Sequence, residues 1–159
     1  MFQPHLRVAS VQEVTPSLLA ELGLEAVLVD VDDTLLAARE SDVDPSVYAW
    51  FATLRGAGVK VAILSNGTPA RVAAIAAQAG VPALSMAGKP FRRAFRRGLR
   101  LLGGVEPSRT AMVGDQLFTD VLGARSAGLK TVLVQPLSPG KLPHTRLARR
   151  LERLVLKEL

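Results

Sequence analysis

Two aspartates directly follow an apolar run near the start of the chain. The run AVLVD ends at Asp30, and Asp32 comes two positions later. Like charges this close are costly unless a cation neutralises them or one carboxyl stays protonated. Mg²⁺ is a hard cation that prefers oxygen ligands, and an ionised carboxylate beside it could attack an electrophile. The pair alone is also typical of a solvated acidic loop. The rest of the sequence must therefore distinguish a catalytic pair from such a loop.

Three further segments place polar residues after apolar runs or before helices. Ser65 and Asn66 follow the run VKVAIL, where a hydroxyl, an amide and free backbone N–H groups at a helix start suit a phosphate oxygen. Lys89 precedes a predicted helix, and Asp115 ends the run TAMVGD with Asp120 five residues further on. Taken singly, these residues are also typical of helix caps and, for the lysine, of the protein surface.

The elements that must position these residues alternate between apolar runs and helical patterns. Strands are predicted over 26–30, 59–65, 81–85, 110–115 and 130–135. Helices are predicted from 45 to 56–58 and over 69–80, 90–102 and 117–126. This order predicts an α/β fold, a Rossmann-like three-layer α/β/α arrangement around a central parallel sheet. Ligands bind beyond the carboxyl ends of the strands in such sheets, where the polar residues lie.

Length and composition exclude several kinds of site. The 159 residues fit one domain, and the chain has no cysteine and only two histidines. Disulfides, thiolate nucleophiles, cysteine-based zinc sites and iron–sulfur clusters are therefore excluded, and a histidine-based triad is not expected. We find no signal peptide and no stretch long and apolar enough for a membrane span, so we expect a soluble, cytoplasmic protein.

The four polar segments together resemble the motifs of the haloacid dehalogenase (HAD) superfamily, in order, from Ala26 to Asp120. The resemblance implies the HAD fold and a phosphatase that works through an aspartyl-phosphate. It implies that Asp30 is the nucleophile and Asp32 the general acid/base, with Thr34 helping to orient this pair. Ser65 and Lys89 would then bind the transferring phosphoryl group.

The same resemblance implies a cofactor site for Mg²⁺. Asp30, Asp115 and the backbone carbonyl of Asp32 would hold the ion, and Asp120 would support them from beside it. Asn66 joins the predicted phosphate-binding residues. We expect no cap domain, because the intervals between the motifs hold only the elements of the core. The site should therefore be open unless a second copy of the chain covers it.

A finer resemblance is to the bacterial YqeG family of capless HAD phosphatases. It rests on the segment from Ser10 to Gly23, on VDVDDTL, and above all on GDQLFTDV. That family extends to the phosphatidylglycerophosphate phosphatases, which implies this lipid as substrate. Asp33 departs from the asparagine common in relatives, and we expect its extra charge to alter metal affinity or pH dependence. The alternative within the same chemistry is a soluble nucleotide or sugar phosphate.

Basic residues are concentrated in the second half of the chain. Residues 1–80 carry five Lys/Arg and nine Asp/Glu, whereas residues 81–159 carry fifteen and five. We predict a phosphatase domain over 1–136, in which helix 90–102 bears an apolar stripe from Phe91 to Leu102, and a basic amphipathic helix over 137–159. Either helix could contact an anionic membrane, which would place the protein at the inner face of that membrane, or could simply pack against the domain or a second subunit. An RNA- or ribosome-associated module with a vestigial site is the alternative of another class, although aromatic residues for stacking are few.

Overall fold

A single parallel sheet of six strands forms the centre of the fold. The computed structural model describes residues 3–37 and 40–138, so the basic helix predicted near the C-terminus lies outside the described residues. The strands are β1 (Leu6–Val8), β2 (Ala26–Val29), β3 (Lys60–Leu64), β4 (Ala83–Leu84), β5 (Thr110–Gly114) and β6 (Lys130–Val134). Their order across the sheet is β1-β6-β5-β2-β3-β4, and every pairing is parallel.

Helices cover both faces of this sheet, as its parallel pairing requires. They are α1 (Pro16–Glu21), α2 (Pro45–Gly56), α3 (Pro69–Ala79), α4 (Arg92–Leu101) and α5 (Gly123–Ser126). Short 3₁₀ turns cover Val11–Glu13 and Pro107–Arg109, and a π-helical segment covers Leu117–Leu122. The N-cap residue and a proline explain why α2 begins where it was predicted to begin. Asp44, the N-cap, accepts a hydrogen bond from Ser46 N at 2.8 Å, and Pro45 is the first residue of the helix.

The central strand β2 separates two hydrophobic cores. Val27 and Val29 point to the core that contains α2 and α3, while Ala26 and Leu28 point to the core that contains α4. All four residues are fully buried, which explains why the strand is a continuous apolar run rather than an alternating one. The predicted three-layer α/β/α fold is confirmed.

The predicted strands and helices agree with the structure to within a few residues, with three differences. First, β1 and α1 were not predicted from the sequence, because each is too short to show a clear period. Second, Phe91 was expected in the apolar stripe of α4 but is 74% exposed at its N-cap. Ala94 and Gly98 pack inward instead, beside Phe95 and Leu99.

The third difference concerns the predicted helix over 117–126. Its first part, Leu117–Leu122, is π-helical, and only Gly123–Ser126 continues as an α-helix. The wider turn places Asp120 so that its Oδ2 accepts a hydrogen bond from Gln116 N at 3.1 Å. π-Helical turns of this kind occur frequently at functional sites.

Elements of the core occupy the intervals in which a cap would be inserted. Helix α2 and strand β3 lie between Thr34 and Ser65, and helix α3 and strand β4 lie between Ser65 and Lys89. The loops at the carboxyl ends of the strands therefore have no inserted domain above them among the residues that the structure describes.

Within the described residues, no helix has the length and apolar character needed to cross a bilayer.

Candidate active site

The polar residues predicted from the sequence meet at the carboxyl ends of β2, β3 and β5. Strand β2 lies between β5 and β3, so Asp30 comes between Asp115 and Ser65 at this edge. The backbone N–H of Asp30 still donates to Val113 O at 3.0 Å. The hydrogen-bonding pattern of the sheet therefore continues to Asp30, and its side chain projects from backbone that the sheet holds in place.

Lys89 forms the centre of the site. Its Nζ lies 2.9 Å from Asp30 Oδ1 and 2.8 Å from Asp120 Oδ1, and only 2% of its side chain is exposed. Burial alone would lower the pKa of Lys89, but the carboxylates of Asp120 and Asp30 outweigh it and raise the pKa above its ordinary value. The ammonium group is therefore charged across the physiological range of pH.

Three carboxyl groups lie together here, and two of them, Asp30 and Asp120, contact the ammonium group of Lys89. Oxygens of Asp30, Asp115 and Asp120 lie within 4.8 Å of one another. Burial, followed by the nearby carboxylates of Asp120 and Asp30, raises the pKa of Asp115 to about 8. Burial is also the main reason that the pKa of Asp30 is raised to about 6, despite the opposing charge of Lys89. This excess of negative charge fits a divalent cation, since oxygen ligands and a 2+ charge would resolve it.

Asp32 lies outside this group of three side chains. Its carboxylate pairs with Arg71 at 3.1 Å, and 49% of its side chain is exposed. Burial raises the pKa of Asp32, while the guanidinium of Arg71 acts in the opposite direction. Arg71 was not predicted as a site residue, because a single arginine in the first turn of α3 carries no motif. Its approach to Asp32 depends on β2 and β3 being neighbours in the sheet.

Thr34 and Ser65 are buried near the carboxylates. Thr34 Oγ1 donates to Asp115 Oδ1 at 3.4 Å, so its observed partner is the predicted metal ligand rather than Asp30 or Asp32. Ser65 Oγ accepts a hydrogen bond from Gly67 N at 2.9 Å. A Cβ atom at Gly67 would lie 3.1 Å from Ser65 Oγ and 3.5 Å from Asp32 Oδ2, so a glycine keeps this side of the site open.

The side chain of Asn66 forms hydrogen bonds with the backbone at Gly88 and Lys89. Its Nδ2 donates to Lys89 O at 3.0 Å, and its Oδ1 accepts from Lys89 N at 2.9 Å and from Gly88 N at 3.0 Å. The side-chain amide therefore holds the backbone of Lys89. Its predicted contact with phosphate stays a prediction, and the structure adds a positioning contact that the sequence did not indicate.

Close approach of Asp120 to the sheet explains the glycine that ends β5. A Cβ atom at Gly114 would overlap the carboxylate of Asp120. The Gly-Asp pair therefore does more than cap a helix: Gly114 leaves room for Asp120, and Asp120 pairs with Lys89. Asp120 lies in the same cluster of carboxylates as Asp30 and Asp115, the two side chains predicted to hold the cation.

Comparison with known proteins agrees with this arrangement. Residues 6–128 match the haloacid dehalogenase-like hydrolase family. The chain belongs to this family. Over 158 residues it is 33% identical to the probable phosphatase YqeG of Bacillus subtilis, a match that covers 99% of this chain and 91% of that protein. The prediction of a HAD-type phosphatase is thereby confirmed.

This HAD hydrolase is also similar to a second curated protein in sequence and to a solved phosphatase structure in fold. It is 28% identical over 165 residues to the chloroplastic/mitochondrial phosphatidylglycerophosphate phosphatase 1 of Arabidopsis thaliana, covering 97% of this chain and 47% of that protein. Its fold is similar to that of deoxy-D-mannose-octulosonate 8-phosphate phosphatase from Haemophilus influenzae. That match has a TM-score of 0.58 at 18% identity and covers 86% of this chain and 89% of the other.

Proposed function

We propose that this HAD hydrolase is a Mg²⁺-dependent phosphomonoesterase with Asp30 as its nucleophile and Asp32 as its general acid/base. The observation that carries this proposal is the contrast between the two carboxylates. Asp30 is 7% exposed and held by Lys89, whereas half of the Asp32 side chain is exposed beside Arg71. Two carboxylates in such different environments suit two different roles.

In the first step, a carboxylate oxygen of Asp30 attacks phosphorus, and the bond from phosphorus to the ester oxygen breaks. Protonated Asp32 gives its proton to the leaving alkoxide, so the alcohol departs neutral. In the second step, ionised Asp32 takes a proton from water, and the water oxygen attacks phosphorus. The bond to Asp30 then breaks, which releases inorganic phosphate and restores both aspartates.

Positive charge and hydrogen-bond donors must stabilise the transferring group. Lys89 is placed to neutralise the phosphoryl oxygens because it already contacts Asp30, and the Ser65 hydroxyl lies on the opposite side of β2 from Asp115. Asp30, Asp115 and the backbone carbonyl of Asp32 would hold Mg²⁺, which would add further positive charge when bound. Asp120 orients Lys89 through their ion pair.

The proposed substrate is phosphatidylglycerophosphate. The Arabidopsis relative that carries this substrate in its name supports the proposal over nearly the whole of this chain. The absence of a cap among the described elements also supports it, since a lipid headgroup is presented from a surface. Arg71, the partner of Asp32, also borders a groove of about 310 Å³ lined by Asp42, Tyr48 and Gln78.

The test is Mg²⁺-dependent phosphate release from phosphatidylglycerophosphate in mixed micelles, compared with glycerol 3-phosphate and a nucleoside monophosphate. Asp30→Asn serves as the inactive variant, and Glu21→Gln, at an exposed position on α1, serves as the matched control. We expect turnover of the lipid well above that of the soluble esters, lost only in Asp30→Asn. Equal or faster turnover of the soluble esters would overturn the lipid assignment, and no release from any of them would overturn the enzyme assignment.

A further inference from the structure

Three large apolar side chains are exposed on the segments that follow β4 and β5, beside the active site. Phe91 is 74% exposed, Met86 69% and Phe118 45%. Met86 and Phe91 flank Lys89 within three positions, and Phe118 follows Asp115 by three. Isolated exposed apolar residues are ordinary, but several beside one site are typical of a surface that contacts a membrane, another protein or a ligand.

The helix that follows Phe91 presents only positive charge to solvent. Arg92, Arg93, Arg96, Arg97 and Arg100 are all exposed, while Ala94, Phe95, Gly98 and Leu99 are buried against the sheet. None of the five arginines forms an ion pair with another described residue. The N-terminal end of α4 begins three residues after Lys89, so this charge starts beside the site.

This arrangement of arginines does not favour the helix itself. Arg92 and Arg93 occupy the first turn, where the partial positive charge of the helix end favours acidic residues, and that turn contains none. Arg92 and Arg96, like Arg93 and Arg97, are four residues apart, a spacing at which like charges repel. An external anion at this end of α4 would relieve both effects.

We propose that Met86, Phe91, Phe118, Arg92 and Arg93 form a docking face that binds the surface of an anionic lipid bilayer. Apolar side chains that enter the headgroup region beside arginines that meet lipid phosphates are the usual composition of an interfacial contact. The proposal deepens the proposed function, on which it rests for its purpose, because docking would present the open site to a lipid headgroup. Aromatic residues make up only 4% of the chain, and Met86, one of the two most exposed apolar residues of this face, has no ring on which a base could stack; both features favour a bilayer over RNA.

The experiment is flotation of the full chain with vesicles of phosphatidylcholine alone and with vesicles that also contain phosphatidylglycerol. The test variants are Arg92→Gln/Arg93→Gln and Phe91→Ser. Their matched controls are Lys60→Gln/Lys130→Gln, which removes two exposed charges at the opposite ends of the strands, and Leu22→Ser, which removes an exposed leucine at that end.

We expect the wild-type chain to float only with the anionic vesicles. Loss of both arginines should weaken partitioning by about 30-fold, or about fivefold for each charge, and Phe91→Ser should also weaken it. The controls should bind as the wild type does. Wild-type-like binding by the arginine variant, equal losses in test and control variants, or no binding to anionic vesicles would overturn the docking face.

Two readouts separate this inference from the proposed function. Hydrolysis of the soluble ester p-nitrophenyl phosphate should be the same in Arg92→Gln/Arg93→Gln as in the wild type, because neither arginine belongs to the catalytic group. Vesicle binding without phosphatase activity would therefore contradict only the proposed function. A labelled RNA oligonucleotide that displaces the chain from vesicles, with the same dependence on Arg92 and Arg93, would identify nucleic acid as the occupant and overturn the lipid assignment.

Discussion

The side-chain amide of Asn66 holds both backbone polar groups of Lys89. It accepts a hydrogen bond from Lys89 N at 2.9 Å and donates one to Lys89 O at 3.0 Å. The two residues are 23 positions apart, on loops that follow neighbouring strands β3 and β4. The position of the buried ammonium group is therefore set by a residue that need not contact the substrate.

Replacement of Asn66 by alanine should lower kcat more than it changes KM. Loss of both hydrogen bonds lets the backbone of Lys89 move, and a displacement of about 1 Å at a catalytic group can cost on the order of 100-fold in rate. Steady-state kinetics on the preferred ester measure this effect. Thr68→Ala is the control, since the Thr68 side chain makes no cap hydrogen bond. A wild-type kcat in Asn66→Ala, or a large rise in KM alone, would contradict the positioning role and favour direct phosphate contact.

Replacement of Lys89 by methionine should destabilise the fold. The change leaves the buried carboxylates of Asp30 and Asp120 without their counter-charge, which typically costs about 3–5 kcal/mol in the free energy of unfolding. Urea unfolding in the presence of EDTA measures it. The exposed pair of Arg109 and Glu25 provides the control, because Arg109→Met should cost less than about 1 kcal/mol after solvent screening. Adding Asp120→Asn to Lys89→Met should restore part of the lost stability. Equal free energies of unfolding for Lys89→Met and the control Arg109→Met would contradict this account.

The sequence contained most of the information needed to predict the fold. Buried parallel strands are continuous apolar runs, and Pro at the first helical position marked α2 and α3, so both patterns could be recognised locally. Strand β1 has only three residues and pairs with β6 at the far end of the chain. Nothing in its own sequence indicates that pairing.

The candidate site was predictable in its members but not in all of their contacts. Motif residues after neighbouring strands had to converge at one edge of the sheet. The partners of Thr34, Asn66 and Asp32 depend on side-chain direction and on loop geometry, which a one-dimensional pattern does not contain. Arg71 was missed for the same reason, because its significance comes only from its 3.1 Å approach to Asp32.

Stabilisation by Mg²⁺ should increase with pH between 6 and 8. The pKa of Asp30 is raised to about 6 and that of Asp115 to about 8, mainly by burial. An unfolded aspartate ionises at about pH 4, so these groups lower stability as the pH rises toward 8. Bound Mg²⁺ requires the ionised forms, and its affinity therefore falls as protons return. Thermal unfolding with MgCl₂ and with EDTA at each pH measures the difference, and an equal shift of Tm at pH 6 and pH 8 would contradict it.

Asp33→Asn should lower the pH at which Mg²⁺ begins to stabilise the fold. The charge of Asp33 contributes to the raised pKa of Asp115, after burial and the charges of Asp120 and Asp30. Asparagine keeps the acceptor for Ser138 N and tolerates the left-handed backbone, with φ of 59°. The same thermal titration should show Mg²⁺ stabilisation beginning at lower pH in Asp33→Asn. Asp33→Ala, which removes the acceptor as well, serves as the comparison for a purely structural effect, and an unchanged pH dependence in Asp33→Asn would contradict the electrostatic one.

Arg71→Gln should move the pH dependence of turnover to higher pH. Burial raises the pKa of Asp32, and Arg71 is the largest influence that lowers it again. Without the guanidinium, the pKa of Asp32 should rise, so a larger fraction of Asp32 stays protonated when the second step needs it as a base. The ascending limb of kcat should therefore move to higher pH.

Arg71→Lys keeps the positive charge and should leave the limb closer to its wild-type position. Stability should change little in either variant, because Arg71 is partly exposed and its Nη2 is already buried without a hydrogen-bond partner. Kinetics across pH and urea unfolding on the same preparations separate the two effects. A limb that stays in place in Arg71→Gln would show that the ion pair with Asp32 does not persist during turnover, and Arg71 would then be assigned to the neighbouring groove alone.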